Sequence, residues 1–387
     1  MSAKKISRFL IFIVFIIYIS LGLPDSIMGS AWPAIRQSYH FPVDMIGILG
    51  AIQLGFSFCS TLVYPKLAKY WTLDIFILFS TTLTVLGLLA LGLGETFFPM
   101  LLSCVLLGFG QGSVDIAIND YSAKHFSNSL MNFLHAFYGI GVMASSFIMT
   151  YAIQSGSWQL GVWIITLSQF AILLLAFVTR NKFKEKAEIT ETATESTEKL
   201  QLKHFLLPSF YFFYALELII GRFYSSFAVE TLHFSMATGA AITSFYWAGL
   251  TVGRFLTGFT ARRFSQRSII YSHLFLLILG SFLCFIPSEI AQYFSGSLLG
   301  LGLAPLYPTG MKKAYELYSG PIAQRIISYN IAFATIGMFL LPIPLGWIFE
   351  QFSFTFYPLV IAIFTILLGL ILVLIYQKKK VSSIKSI

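Results

Sequence analysis

Apolar residues gather along this chain in runs of about 20 positions, the length of helix that crosses the roughly 30 Å hydrocarbon core of a bilayer. Twelve such runs lie near 9–33, 45–65, 75–94, 98–119, 131–154, 158–178, 205–228, 238–259, 269–287, 290–311, 327–349 and 354–376. They predict an all-α membrane protein of twelve transmembrane helices. An even number of crossings puts both termini on one face, and the charges of the polar connections test the count. On the terminal face fall 22 of the 25 basic residues, the exceptions being Arg36, Arg222 and Arg254. A miscounted helix would scramble that asymmetry. The positive-inside rule then makes the terminal face cytoplasmic. The expected location is a plasma membrane, that of a bacterial cell, crossed many times with both termini inside.

Between the sixth and seventh runs lies a soluble-looking segment from Thr179 to Lys203, with Glu185, Glu188, Glu191, Glu195 and Glu198 among Thr and Ser. Its low apolar content reads as a solvated linker. The expected organisation is therefore a six-helix bundle over 1–178, a cytoplasmic linker over 179–204, a second bundle over 205–377 and a tail over 378–387. The two halves repeat at a spacing of about 192 residues. Leu106-Leu-Gly-Phe-Gly-Gln-Gly matches Leu298-Leu-Gly-Leu-Gly-Leu-Ala, and Asp25-x-x-x-Gly29 matches Glu217-x-x-x-Gly221. Ala136-Phe-Tyr-Gly-Ile-Gly matches Ala332-Phe-Ala-Thr-Ile-Gly after a shift of four more. Two pseudo-symmetric six-helix bundles in parallel repeat place a substrate site between them near the bilayer midplane.

Composition agrees: the chain is 57% hydrophobic and 11% charged, against about a quarter charged for a soluble domain. The net charge of +9 is a topology signal once the basic residues are placed, so no nucleic-acid partner is expected. Cys59, Cys104 and Cys284 all lie in apolar runs and read as reduced packing residues, and no metal-ligand spacing occurs. The basic N-terminus followed by an apolar run imitates a signal peptide, but no small-x-small cleavage site follows, so it reads as the first spanning helix. No phosphate-binding G-x-x-x-x-G-K-[ST] and no hydrolase motif on a plausible scaffold appears, which argues against an ATP motor or an enzyme.

Candidate chemistry therefore rests on polar residues inside the runs. Gln111, Asp115 and Asn119 recur every fourth residue and form one helical stripe. Three acids fall within the apolar runs, Asp25, Asp115 and Glu217, and an ionised carboxylate in a bilayer costs at least a few kcal/mol, so each is a functional candidate. Glu217 comes out about 18 Å from the start of its helix, near mid-membrane. Acids at three depths can pass a proton while two halves rock, so Asp25, Glu217 and Arg222 form the expected proton-coupling group. Arg222 either pairs with Asp25 or snorkels to the outer headgroups. Arg254, with Arg262 and Arg263, reads as a cytoplasmic gate. Asn132, His135 and Tyr138 on the fifth helix, with Gln53, Trp247, Tyr307 and Asn330 elsewhere, are candidate cavity-lining residues. Amides, hydroxyls and flat aromatic faces are what a neutral polyol needs.

Four stretches carry a family resemblance: Leu23-Pro-Asp25-Ser-Ile-Met-Gly29-Ser-Ala-Trp32-Pro33, Gly112-Ser-Val-Asp115-Ile-Ala-Ile-Asn119, Tyr214-Ala-Leu-Glu217-Leu-Ile-Ile-Gly221 and Trp247-Ala-Gly-Leu-Thr-Val-Gly253-Arg254. The run Gly300-Leu-Gly-Leu-Ala-Pro305-Leu-Tyr307-Pro308 adds to them. The sequence resembles the major facilitator superfamily and, within it, is similar to the fucose–proton symporter family of sugar transporters. The resemblance implies that Asp25 is the protonated helix-1 acid and that Asp115 contacts sugar and helps couple it to protons. Asn132 and His135 fall where that family carries Asn and Gln. The helix-4 acid is Asp here rather than Glu, and Tyr138 replaces an amide, so the sugar does not carry over. Arg222 stands where relatives often show Gly or an aromatic, which leaves room for an anion. The superfamily's loop signature G-x-x-x-D-R is degenerate at Pro65–Tyr70 and Gly258–Arg263.

The expected function is proton-coupled import of a monosaccharide or small polyol by alternating access, with H⁺ as coupling ion and no other cofactor. Na⁺ coupling stays open, and a monomer in lipid is expected. The rivals are a proton-coupled exporter of amphipathic compounds or small organic anions, and a transporter-like receptor that binds ligand without moving it.

Overall fold

Every one of the twelve apolar runs is helical, and four are helical in two pieces. The computed structural model describes residues 8–94, 96–126, 128–184, 201–261, 263–318 and 320–377, with every side chain among them except those at 123, 124, 128, 129, 132, 320 and 321. The first half holds α1 (Arg8–Gly22) with α2 (Ile27–Tyr39), then α3 (Met45–Leu67), α4 (Leu73–Leu93), α5 (Phe97–His125), α6 (Asn128–Gln154) and α7 (Trp158–Thr179). The second holds α8 (Leu206–Phe213) with α9 (Leu216–Glu230), then α10 (Met236–Thr260), α11 (Gln266–Leu283), α12 (Glu289–Leu303) with α13 (Leu306–Leu317), α14 (Gly320–Leu340) with α15 (Pro342–Gln351), and α16 (Tyr357–Gln377). Among the described residues ten helical stretches are long and apolar enough to cross a membrane; α10 and the α12–α13 pair fall short of that measure. Several helices outrun the apolar runs, so Asp74, Asp120, Glu230, Glu289, Glu316 and Glu350 also fall within helices.

Three of the breaks have a local cause. Pro24, Pro305 and Pro342 each lack the N–H that would bond one turn back, and the ring crowds the preceding turn. The α8–α9 break falls at Tyr214–Ala215 without a proline. By the repeat, the breaks at Pro24 and at Tyr214–Ala215 occupy corresponding places, and each sets an acid, Asp25 or Glu217, beside an interrupted helix. The two halves also close their first span alike: α2 and α9 are followed by residues with left-handed backbones, His40 (φ 55°) and His233 (φ 57°), 193 positions apart.

The matched glycines show what the repeat is for. A Cβ on Gly108 would collide with the Gln53 carbonyl of α3, and one on Gly300 with the Tyr246 carbonyl of α10. These are the same approach made once in each half. Gly29 and Gly221, themselves equivalent, meet each other: a Cβ on Gly29 would strike the Gly221 carbonyl. That contact lies where α2 and α9 cross between the halves.

The halves are fastened on the face opposite the described chain ends. Arg36 of α2 pairs with Glu230 of α9 (Nη2–Oε1 2.5 Å), and the Val43 N–H donates to Glu350 of α15 (2.7 Å). Beneath them the buried hydroxyls of Ser30, Ser146, Ser244 and Thr150 bond one another across α2, α6 and α10. Toward the terminal face Phe133 of α6 rests on Phe255 of α10 at 6.5 Å between ring centroids, while Asp115, Asn119 and Tyr307 stay partly exposed and His135 is exposed.

Candidate functional site

Asp25 is the hub. The break after α1 turns its carboxylate toward α5 and α6, where Oδ1 accepts from Gln111 Nε2 (2.5 Å) and Oδ2 accepts from the Tyr138 hydroxyl. The same Gln111 amide donates to the Leu21 carbonyl freed by the break (3.1 Å), and its oxygen accepts from Gln53 of α3 (2.8 Å). One amide thus ties α1, α3 and α5 to one acid. One turn on, Asp115 accepts from Asn119 (2.9 Å), as their four-residue spacing predicts, and from Tyr18 of α1 (3.1 Å). The His135 ring meets Tyr18 edge-on at 5.8 Å. Tyr18 is a member of this cluster that the sequence reading missed, although it stands two helical turns before Asp25.

Across the seam, Glu217 accepts from Arg254 of α10 at 3.2 and 3.0 Å and from the Tyr214 hydroxyl, while the Glu217 carbonyl accepts from Tyr246 (2.7 Å). Tyr214 lies three residues before Glu217, a spacing that could have identified it. Tyr307 packs on Tyr211 and Tyr214, with centroids 5.1 and 5.4 Å away. Trp247 lies on Gly221, and its indole N–H is buried without a hydrogen-bond partner among the described residues. The two groups face each other: Arg254 lies within electrostatic reach of His135 and Tyr138, and Tyr307 within reach of Asp115.

Several expectations change. The Asp25–Arg222 ion pair is not formed; Asp25 is satisfied by Gln111 and Tyr138, and among the described residues Arg222 makes no hydrogen bond or ion pair. Arg254, expected as a gate, sits six residues before the end of α10 and is the counter-charge of Glu217, with side chains 19% and 13% exposed. Arg263 is exposed on the following turn, and Arg262 lies outside the described residues. Asn330 of α14 is fully buried, with its amide nitrogen 3.9 Å from the Met311 sulfur of α13 and its amide oxygen without a hydrogen-bond partner among the described residues. The Asn132 side chain lies outside the described residues.

Two helical halves in parallel repeat, fastened on one face and holding acids at broken helices between them, define a secondary transporter. The chain belongs to the Major Facilitator Superfamily, whose model matches residues 14–291 and 206–386. It is similar to the glucose/mannose transporter GlcP of Bacillus subtilis (strain 168), 22% identical over 351 residues covering 86% of each chain. It is also similar to Bypass of stop codon protein 6 of Saccharomyces cerevisiae (strain ATCC 204508 / S288c), 24% identical over 396 residues, covering 91% of this chain and 80% of that one. Among solved structures, a D-xylose–proton symporter superposes with TM-score 0.74 at 12% identity, covering 93% of this chain and 96% of the other. The nucleoside transporter NupG (D323A mutant) gives 0.72 at 14% identity, covering 95% and 98%. Membership places the chain among membrane transporters, which are not enzymes.

Proposed function

We propose that this protein imports a monosaccharide or small polyol together with a proton, by alternating access, with its terminal face in the cytoplasm of a bacterial cell. The observation that carries the reading is the Asp25 hub. An acid at a helix break, held by one amide and one phenol at the junction of the halves, can exchange a proton for those two hydrogen bonds as the seam opens and closes. Gln53, Gln111, Asn119 and His135 supply donors and acceptors for hydroxyl groups, and Tyr307 and Trp247 supply flat faces for a sugar's C–H side. The identities of two similar proteins, a glucose/mannose transporter and a D-xylose–proton symporter, support sugar as the cargo and H⁺ as the driving ion. The motif likeness to the fucose–proton symporters supports the same coupling site.

In this reading the structure is the inward-facing member of the cycle. Asp25 takes up its proton while the far face is open, sugar binds between the halves, and closure of Arg36 on Glu230 accompanies opening toward the cytoplasm. The test is a pH trace on de-energised cells expressing the protein. Addition of the right hexose, 6-deoxyhexose or sugar acid alkalinises the medium, and Asp25→Asn abolishes the signal while leaving counterflow of that compound intact. Absence of any response across the sugar panel, with the protein well expressed, overturns the reading.

A further inference from the structure

Arg222 is the group that the proposed cycle leaves unused. It stands in the second turn of α9, in the second half, yet its guanidinium reaches into the first half and lies flat on Gly50 of α3; a Cβ there would strike Cζ and both terminal nitrogens. Its other neighbours are Asp25 and Cys104, both within electrostatic reach. Nη1 is fully buried with no hydrogen-bond partner, while the residue as a whole keeps a partly exposed edge. An arginine offers five donors and stays charged, and a buried unpaired charge is costly unless something pairs it. Asp25 does not pair it here: its two oxygens accept from Gln111 and Tyr138, and among the described residues neither forms a hydrogen bond or ion pair with Arg222.

We propose that Arg222 anchors a carboxylate on the substrate, so that the cargo is an acidic monosaccharide, an aldonate or uronate, rather than a neutral sugar. The proposal rests on the transport reading above and narrows its substrate class. A planar carboxylate matches the guanidinium fork in geometry and carries a single charge. A phosphate ester brings close to two negative charges against one arginine that already has Asp25 beside it, so the site favours a monoanion. The amides of Gln53 and Gln111, which join Asp25 in one network beside α3, are placed to receive the hydroxyls of the same molecule. The lack of a Cβ at residue 50 is what leaves room for the guanidinium.

The choice has an energetic signature. One proton moving with one monoanion carries no net charge, whereas a proton with a neutral sugar carries one. The experiment uses the full chain in proteoliposomes, with glucose, mannose, glucuronate, galacturonate and gluconate as probes, imposing either a pH gradient or a potassium diffusion potential. The expected result is uptake of one acid driven by the pH gradient and indifferent to the potential. Arg222→Gln is expected to raise KM for the acid by about 10- to 100-fold, the scale of a lost charge-assisted hydrogen bond, with the maximal rate changed much less. Arg222→Lys, which keeps the charge and loses the fork, falls between and carries the test if the glutamine variant does not melt cooperatively. Proton-coupled uptake of a neutral hexose with no acid transported overturns the anchor and leaves the transport reading standing. A fall in the maximal rate with KM for the acid unchanged, in a variant that still melts cooperatively, assigns Arg222 to coupling through Asp25 and also overturns it. Transport of neither class overturns both.

Discussion

Arg254→Gln removes the counter-charge of Glu217, and the structure sets the size of the effect. The pair is largely buried, with side chains 19% and 13% exposed and the closer nitrogen 3.0 Å from the carboxylate. Removing one member of a buried ion pair costs about 3–5 kcal/mol, chiefly because the survivor is left charged and unpaired. Glu217 keeps the Tyr214 hydroxyl, so the lower end, about 3 kcal/mol, is expected for Arg254→Gln. Glu217→Gln is milder, about 2 kcal/mol, because the long Arg254 side chain can turn its head toward the terminal face. The double variant pairs two neutral amides and should cost about 2 kcal/mol rather than the sum near 5, a coupling of about 3 kcal/mol at the top of the range for direct contacts. At roughly 2–4 °C per kcal/mol for large domains, Arg254→Gln should lower the apparent melting temperature in detergent by about 6–12 °C. All four proteins are compared at one heating rate, since unfolding from detergent is irreversible and scan-dependent. A double variant that melts at the sum of the two single losses, or an Arg254→Gln protein as stable as the parent, would refute the pairing.

Other expectations follow from the seam. Gly29→Ala puts a methyl against the Gly221 carbonyl, so α2 and α9 cannot approach; transport should be lost and a single cysteine near Arg36 should label faster from outside, and normal transport would contradict the contact. Arg36→Gln breaks a pair that is 24% and 30% exposed, worth about 1 kcal/mol or less, so the same labelling should rise no more than about fivefold, with transport retained. Trp247→Phe deletes a buried N–H that has no partner; stability should hold or rise, while KM should rise several-fold if the indole serves the substrate, and an unchanged KM removes Trp247 from the site.

Much of the fold was legible because bilayer thickness leaves a direct trace in sequence. Run length located the helices, and basic residues confined to alternate loops fixed their order. The glycine matches, which look weak singly, mark backbone approaches repeated in each half, as Gly108 on Gln53 and Gly300 on Tyr246 show. The three central acids were found because a carboxylate in lipid is rare. The four-residue stripe also made the Asn119–Asp115 bond foreseeable, since both groups ride one helix.

Partner choice across helices was not legible. Arg222, at the depth of Asp25, could pair with that acid or snorkel to the outer headgroups, and Arg254 read as a gate; the fold joins Arg254 to Glu217 and gives Asp25 an amide and a phenol. Helical spacing determines which residues share a face and roughly how deep they lie. It leaves the rotation of each helix about its axis open, and a few tens of degrees there turn a side chain from one neighbour to another. The sequence by itself therefore determined a two-half membrane transporter with acids at its centre. The tertiary structure decided which charge answers which, because that depends on how the helices are turned against each other at the seam.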